Sequence, residues 1–382
     1  MRRIIISIVI IAVLCCGVYF FLFSKEEKVA KEKKVQDVEV SMDLFGDYYD
    51  KASKVVQKMS IEEKIGQLFL VRYDRNMVES QLQTYYPGGY ILFAKDFEGH
   101  DKTSILKELT AHQEMSKYPL IFGVDEEGGI VTRVSRYSSF RSERFQSPQE
   151  IYQNGGFELL EATEREKAEL LTSIGIYLNL APVADVSVSS DDYIYSRSFG
   201  KDAKETSLYI EKMVEVAREM GISSCLKHFP GYGNNVDTHT GSAYDTRSYD
   251  TFLESDYLPF IAGIEKEVPT ILVSHNVMEC VDPVYPASLS FKVVTGELRE
   301  KLGFSGIIIT DDLAMDAISA YVQDGTAAVM AVNAGNDMII TSDLETMYQE
   351  VLTAYQEKKI ESKTIDQAVK RIIAWKYAYG LF

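Results

Sequence analysis

The sequence predicts a (β/α)8 barrel of the TIM type, and three observations predict it. Eight short, mostly apolar runs recur along the chain, amphipathic helical stretches separate them, and polar residues cluster just past the ends of the runs. Apolar runs without alternation are the mark of strands buried on both faces of a parallel sheet. Eight such strands with intervening helices fit a closed barrel better than an open sheet.

In chain order the runs are Gly66–Val71, Gly89–Phe93, Leu120–Val124, Tyr177–Val183, Ser223–Leu226, Thr270–Val273, Gly306–Ile309 and Met338–Ile340. Helical patterns cover Ser104–Met115, Glu158–Ile174, Lys204–Met220, Tyr257–Glu265 and Leu313–Asn333, and a final helix over Ile365–Tyr379 places the lone Trp375 in the core. No internal repeat or change of composition divides this part, so residues 42–382 read as one catalytic domain.

The N-terminus reads differently. Arg2 and Arg3 precede an uncharged apolar run, Ile4–Phe23, long enough to cross a bilayer as one helix. The run leaves through bulky residues, Val18–Phe23, unsuited to signal cleavage. Residues 1–23 are therefore expected to be an uncleaved signal anchor in the cell membrane, residues 24–41 a charged tether of alternating Lys and Glu, and the catalytic domain extracytoplasmic. Secretion after signal cleavage is the alternative. Outside the anchor only Cys225 and Cys280 remain, expected as buried free thiols rather than a disulfide framework.

Among the 382 residues, 46% are hydrophobic, enough for a large core, and the formal net charge of −17 excludes nucleic acid as a partner class. No Cys/His ligand spacing, HExxH or EF-hand loop implies a metal, and no cofactor is expected. Gly231-Tyr232-Gly233 lacks the third glycine of a dinucleotide loop, and no Gly-x-Ser-x-Gly elbow is present.

What stands at the C-terminal ends of the runs carries the chemistry. Asp125, Asp185, Lys227-His228, Ser274-His275 and Thr310-Asp311-Asp312 each follow a run, and barrel enzymes place their site at that face. The loop after Lys227-His228 carries an Asp-x-His pair, Asp237 and His239. Such a carboxylate fixes the imidazole tautomer and suits the ring to proton transfer near neutral pH. With Arg133 and Arg197, these groups suit a sugar: charged side chains grip hydroxyls, and one carboxylate can attack the anomeric carbon.

The motifs are specific enough to mark a resemblance. Lys227-His228-Phe229-Pro230-Gly231 leading to Asp237-Thr238-His239, Asp125-Glu126-Glu127-Gly128-Gly129, Ala181-Pro182-Val183-Ala184-Asp185, Arg197-Ser198-Phe199-Gly200, and Gly303-Phe304-Ser305-Gly306 leading to Thr310-Asp311-Asp312-Leu313 stand in order from about Ser60 onward. The chain resembles glycoside hydrolase family 3, in its single-domain β-N-acetylhexosaminidase branch. Departures are Tyr232-Gly233-Asn234-Asn235 after the Pro-Gly and Ile130 in place of an arginine after Gly128-Gly129.

The resemblance implies Asp311 as the nucleophile that forms a covalent glycosyl-enzyme, His239 as the general acid/base and Asp237 as its partner. It implies that Asp125, Arg133, Arg197, Lys227 and His228 hold a non-reducing N-acetylglucosamine, with Asp185 and His275 in support. The expected partner is a glycan with terminal N-acetylglucosamine, derived from the cell wall; no protein partner is expected. Two alternatives stay open: a β-N-acetylglucosaminide phosphorylase using the same site, and a non-catalytic, membrane-anchored wall-binding protein.

Overall fold

The structure is a computed structural model that describes residues 43–234, 243–314, 318, 321 and 326–382. Eight parallel strands form one sheet: β1 (Phe69–Arg72), β2 (Gly89–Leu92), β3 (Ile121–Val124), β4 (Leu178–Asn179), β5 (Ser223–Phe229), β6 (Thr270–Val273), β7 (Ile307–Thr310) and β8 (Ile339–Thr341). Each pairs with its neighbour in sequence, and β8 returns to β1 with Phe69 opposite Ile339. Between β7 and β8 the Thr310 amide donates to the Met338 carbonyl at 3.0 Å and the Met338 amide to Ile308 at 3.0 Å. Those bonds close the ring that the eight apolar runs predict. Closure also removes sheet edges.

Helices fill the connections on the outside. Their starts follow capping chemistry: Ser60, Asp101, Ser147 with Pro148 behind it, and Asp202 each accept from a backbone amide of the first turn. The final helix, Ser362–Ala378, lays Ile365, Val369, Ile372 and the fully buried Trp375 against the core, as expected for Trp375.

Four expectations need correction. Gly66 ends a helix rather than opening a strand: the Ser60–Glu63 capping box starts a helix that runs Ile61–Gln67, and β1 begins at Phe69. The run Tyr177–Val183 forms pairs as a strand only over Leu178–Asn179, with Val183 rejoining as an isolated bridge to Lys227. The helix read over Leu313–Asn333 is not continuous. Leu313–Ala314 is a turn, and a helix capped by Thr326 spans Ala327–Ala334 and stops at Gly335 in the left-handed region. Finally Cys225 is buried as expected, but Cys280 is exposed.

The apolar run Ile4–Phe23 lies outside the described residues. Among the described residues no helix is long and apolar enough to cross a membrane.

Candidate active site

The C-terminal ends of the strands form the mouth of the barrel, and most sequence-predicted site residues meet there. Strand β5 extends past its apolar run to Phe229, so Lys227 and His228 belong to the strand itself. Its pairing with β6 shifts register between Leu226 and Phe229, the kind of irregularity that re-aims side chains beside a site. The Lys227–His228 and Phe229–Pro230 peptides are cis.

Lys227 is buried between two carboxylates, with Nζ 2.7 Å from Asp125 Oδ1 and 2.6 Å from Glu127 Oε1. Glu127 in turn accepts a two-pronged bond from Arg197, Nε at 3.0 Å and Nη2 at 2.7 Å. Such a fork fixes both partners in one plane. Burial works against the Glu127 charge, yet Arg197 and Lys227 overcome it and hold that carboxyl far below the ordinary range. Burial likewise opposes the charge on Lys227, and Asp125 and Glu127 hold its pKa above the usual lysine value. Glu127, Lys227 and Arg197 therefore stay charged at neutral pH.

The lattice continues to β4 and beyond. Arg197 Nη2 lies 3.2 Å from His228 Nε2, while His228 Nδ1 lies 2.7 Å from Asp185 Oδ2. A guanidinium only donates, so Nε2 accepts and Nδ1 carries the proton given to Asp185. Asp185 also receives the backbone amides of His228 at 3.1 Å and Tyr232 at 2.7 Å. It holds His228 and the start of the following loop in place.

Asp125 and Arg133 are different because their bonding capacity is not used up. Arg133 Nη2 stands 3.9 Å from Asp125 Oδ2, beyond hydrogen-bond reach, and the buried Arg133 Nε has no hydrogen-bond partner. The Arg133 guanidinium also lies over the Phe93 ring, as does that of Arg72 at the end of β1.

Asp311 stands immediately after β7, its amide donating to the Val273 carbonyl at 2.9 Å, and it is half-buried at the same mouth. One of its carboxylate oxygens accepts the Asp312 amide at 2.9 Å. Burial raises the pKa of the neighbouring Asp312, and the Asp311 charge adds to that. His275 Nε2 donates to the Asp312 carbonyl at 3.0 Å and Nδ1 meets Ser288 Oγ at 2.7 Å. His275 therefore braces the Asp311–Asp312 backbone. Asp237 and His239 lie outside the described residues.

Two features were not assigned from the sequence. Glu127 is the hub between Lys227 and Arg197, and the signal for it was charge balance: two buried cations need a buried anion. Glu126, its neighbour, is structural, accepting the amides of Arg133 and Val134 and so shaping the turn that presents Arg133. Among the described residues no group of His, Cys, Asp and Glu has the arrangement of a metal site.

A parallel barrel whose mouth carries an ion-paired lattice, open bonding capacity on a carboxylate and a cation, and a further carboxylate after β7 has the makings of an enzyme for a polar, hydroxyl-rich substrate. The model of the glycosyl hydrolase family 3 N terminal domain matches residues 60–375. The chain belongs to glycosyl hydrolase family 3. A β-hexosaminidase of Nitrosomonas eutropha is 30% identical over 281 residues, 72% of this chain and 79% of that protein. β-Hexosaminidase A of Pseudoalteromonas piscicida is 27% identical over 76% of this chain, but the chain spans only 53% of that relative's length. A solved family 3 β-N-acetylglucosaminidase from Paenibacillus superimposes with a TM-score of 0.78 at 25% identity, covering 85% of this chain and 63% of that one.

Proposed function

We propose that this chain is a retaining exo-β-N-acetylglucosaminidase that removes terminal β-linked N-acetylglucosamine from cell-wall-derived glycans. The observation that carries the reading is the Asp125–Lys227–Glu127–Arg197–His228–Asp185 lattice, set at the same mouth as Asp311. In this reading Asp125, Arg133, Arg197, Lys227 and His228 grip the sugar hydroxyls. Asp125 and Arg133 contribute most directly, because Asp125 Oδ2 lies beyond hydrogen-bond reach of Arg133 and the buried Arg133 Nε has no partner.

Asp311 attacks the anomeric carbon and the glycosidic oxygen leaves with a proton from His239, whose basicity Asp237 sets. His239 then takes a proton from water as that water displaces Asp311, and configuration is retained. The sequence order supports the role of His239, because Asp237 and His239 follow the β5 residues Lys227 and His228 shortly along the chain.

Anchoring by Ile4–Phe23 in the cell membrane, with the barrel outside, belongs to the same proposal. The Leu44 amide bonds to Ser305 Oγ at 3.1 Å, on the segment that feeds β7, which is the face opposite the mouth. A charged tether over residues 24–41, about 60 Å at most when fully extended, would join the bilayer to that end of the barrel and leave the mouth free to reach glycans. Retention of activity in alkali-washed membranes, with full access to an impermeant glycan, is the expected result.

The test of the activity is release of nitrophenol from the β-N-acetylglucosaminide and the β-glucoside by the full-length chain, with and without phosphate. Turnover of the first substrate alone, indifferent to phosphate, supports the proposal. Acceleration by phosphate with release of the sugar 1-phosphate would make the enzyme a phosphorylase. Ligand binding with no turnover of any such glycoside would favour a wall-binding protein.

A further inference from the structure

Beyond the sugar-gripping lattice lies a second buried charge cluster, formed by Asp245, Arg247 and Asp256. Arg247 Nε and Nη2 reach Asp245 at 2.9 and 2.6 Å, and Nη1 lies 3.0 Å from each carboxylate oxygen of Asp256. Asp245 and Asp256 are both buried. The cluster adjoins the lattice through Gly231, whose amide donates to the His228 carbonyl at 2.8 Å, yet the sugar grip proposed above gives it no task.

Its position supplies one. The chain leaves β5 through Gly231 and Gly233, and returns at Tyr244–Asp245, which pairs in parallel with Val277–Met278 beyond β6. Both limbs meet the same guanidinium. On the outgoing limb Arg247 Nη2 lies 3.5 Å from the Gly231 carbonyl. A Cβ on Gly231 would come within 2.5 Å of Asp256, and one on Gly233 would collide with the Arg247 guanidinium. Both glycines also have φ in the left-handed region, +118° and +53°. On the returning limb Asp245 is held twice, by its side chain to Arg247 and by its carbonyl, which accepts the Glu279 amide at 3.1 Å.

We infer that Arg247 is a positioning residue: with Asp245 and Asp256 it clasps Gly231–Gly233 to Tyr244–Asp245, the two described ends of the segment whose sequence carries Asp237 and His239. The inference rests on the proposed role of His239. Its physical basis is that proton transfer depends steeply on placement, so about 1 Å of drift costs on the order of 100-fold. A lysine at position 247 would keep the charge but lose the planar fork that engages both limbs together.

The test pairs a kinetic readout with one that does not depend on activity. For Arg247→Lys in the full-length chain, kcat/KM is compared across aryl β-N-acetylglucosaminides with good and poor leaving groups, beside His239→Ala. An activated dinitrophenolate leaves without a proton, so it should lose less than about 5-fold, whereas a poor phenolate should lose about 100-fold. In the double variant Arg247→Lys/His239→Ala, no further loss beyond His239→Ala is expected. Deuterium uptake in peptides spanning residues 231–247 should rise in Arg247→Lys while the rest of the barrel is unchanged.

An equal loss for every leaving group, or unchanged uptake, overturns the clasp. Should the wild-type chain hydrolyse none of these glycosides, the proposed function fails, and the uptake measurement alone decides whether Arg247 ties the limbs. If Arg247→Lys does not fold, Gly233→Ala displaces the guanidinium with all three clasp residues in place and is held to the same outcomes.

Discussion

The two ends of the barrel both bury a carboxylate among cations, yet they finish the job differently. At the closed end, opposite the mouth, Asp337 accepts from Arg299 at 2.7 Å, Arg371 at 2.8 Å and the Ile308 amide at 2.9 Å. Arg299 spends its other nitrogen on the Phe304 and Gly306 carbonyls, each at 2.7 Å. That cluster ties the final helix and the segment before β7 to the sheet and is satisfied by the chain itself. At the mouth, Asp125 uses one oxygen on Lys227, its other oxygen is beyond hydrogen-bond reach of Arg133, and Arg133 Nε is buried without a partner. Charge saturated by its own chain serves stability, whereas charge left with open capacity in a mouth serves a ligand.

Substitutions at the two ends should therefore separate activity from stability. The largest effect is expected for Lys227→Met, which removes the cation shared by Asp125 and Glu127: kcat/KM should fall by about 10³-fold or more, roughly 4 kcal/mol of lost transition-state stabilisation. Steady-state kinetics beside a thermal melt would check it, and unchanged kcat/KM would break the comparison. Next comes Asp337→Asn at the closed end. Denaturant titration should show a loss of roughly 3 kcal/mol, while activity per folded molecule stays within about 2-fold. A large drop in activity at full stability would show the closed end to be functional too.

The smallest effect concerns Lys376, buried at the closed end with Nζ 2.7 Å from Gln67 Oε1. Burial pushes its pKa down to about 7. Between about 7 and the unfolded value near ~10.4 the unfolded chain holds more protons, so stability rises with pH across that window, and the penalty is complete below it. Lys376→Met should flatten that rise and add roughly 1–3 kcal/mol at pH 7. Glu127 at the mouth has the opposite sign. Its depressed pKa contributes stability above the unfolded value near ~4.3, lost as pH falls below it.

The same contrast explains what could be read from the sequence. The eight strands were legible because burial on both faces leaves unbroken apolar runs, and Asp125, Asp185, His228 and Asp311 were legible because they sit at the ends of those runs. Gly66 misled because an apolar stretch of helix Ile61–Gln67 runs straight into β1. The helix read from Leu313 misled because helical periodicity carries on across Asp324-Gly325, a turn signal that should have divided it. Pairings were not legible at all. Glu127 meets Arg197 from 70 residues away and Lys227 still further on, and nothing local marks an ion pair that the barrel closes across strands. Arg247 was missed for a related reason: its partners are near in sequence, but a clasp is visible only once both limbs of the loop have been placed.

In the proposed mechanism the Asp311 carboxylate at the mouth forms the covalent intermediate. A 5-fluorinated N-acetylglucosaminyl fluoride keeps the acetamido group and slows breakdown of such an intermediate, so intact-protein mass spectrometry followed by peptide mapping tests it most directly. One glycosyl adduct per chain is expected, on the peptide carrying Asp311, absent from Asp311→Ala and from protein saturated with N-acetylglucosamine. An adduct on Asp312 or elsewhere, or turnover of N-acetylglucosaminides by Asp311→Ala at the wild-type rate, would contradict it.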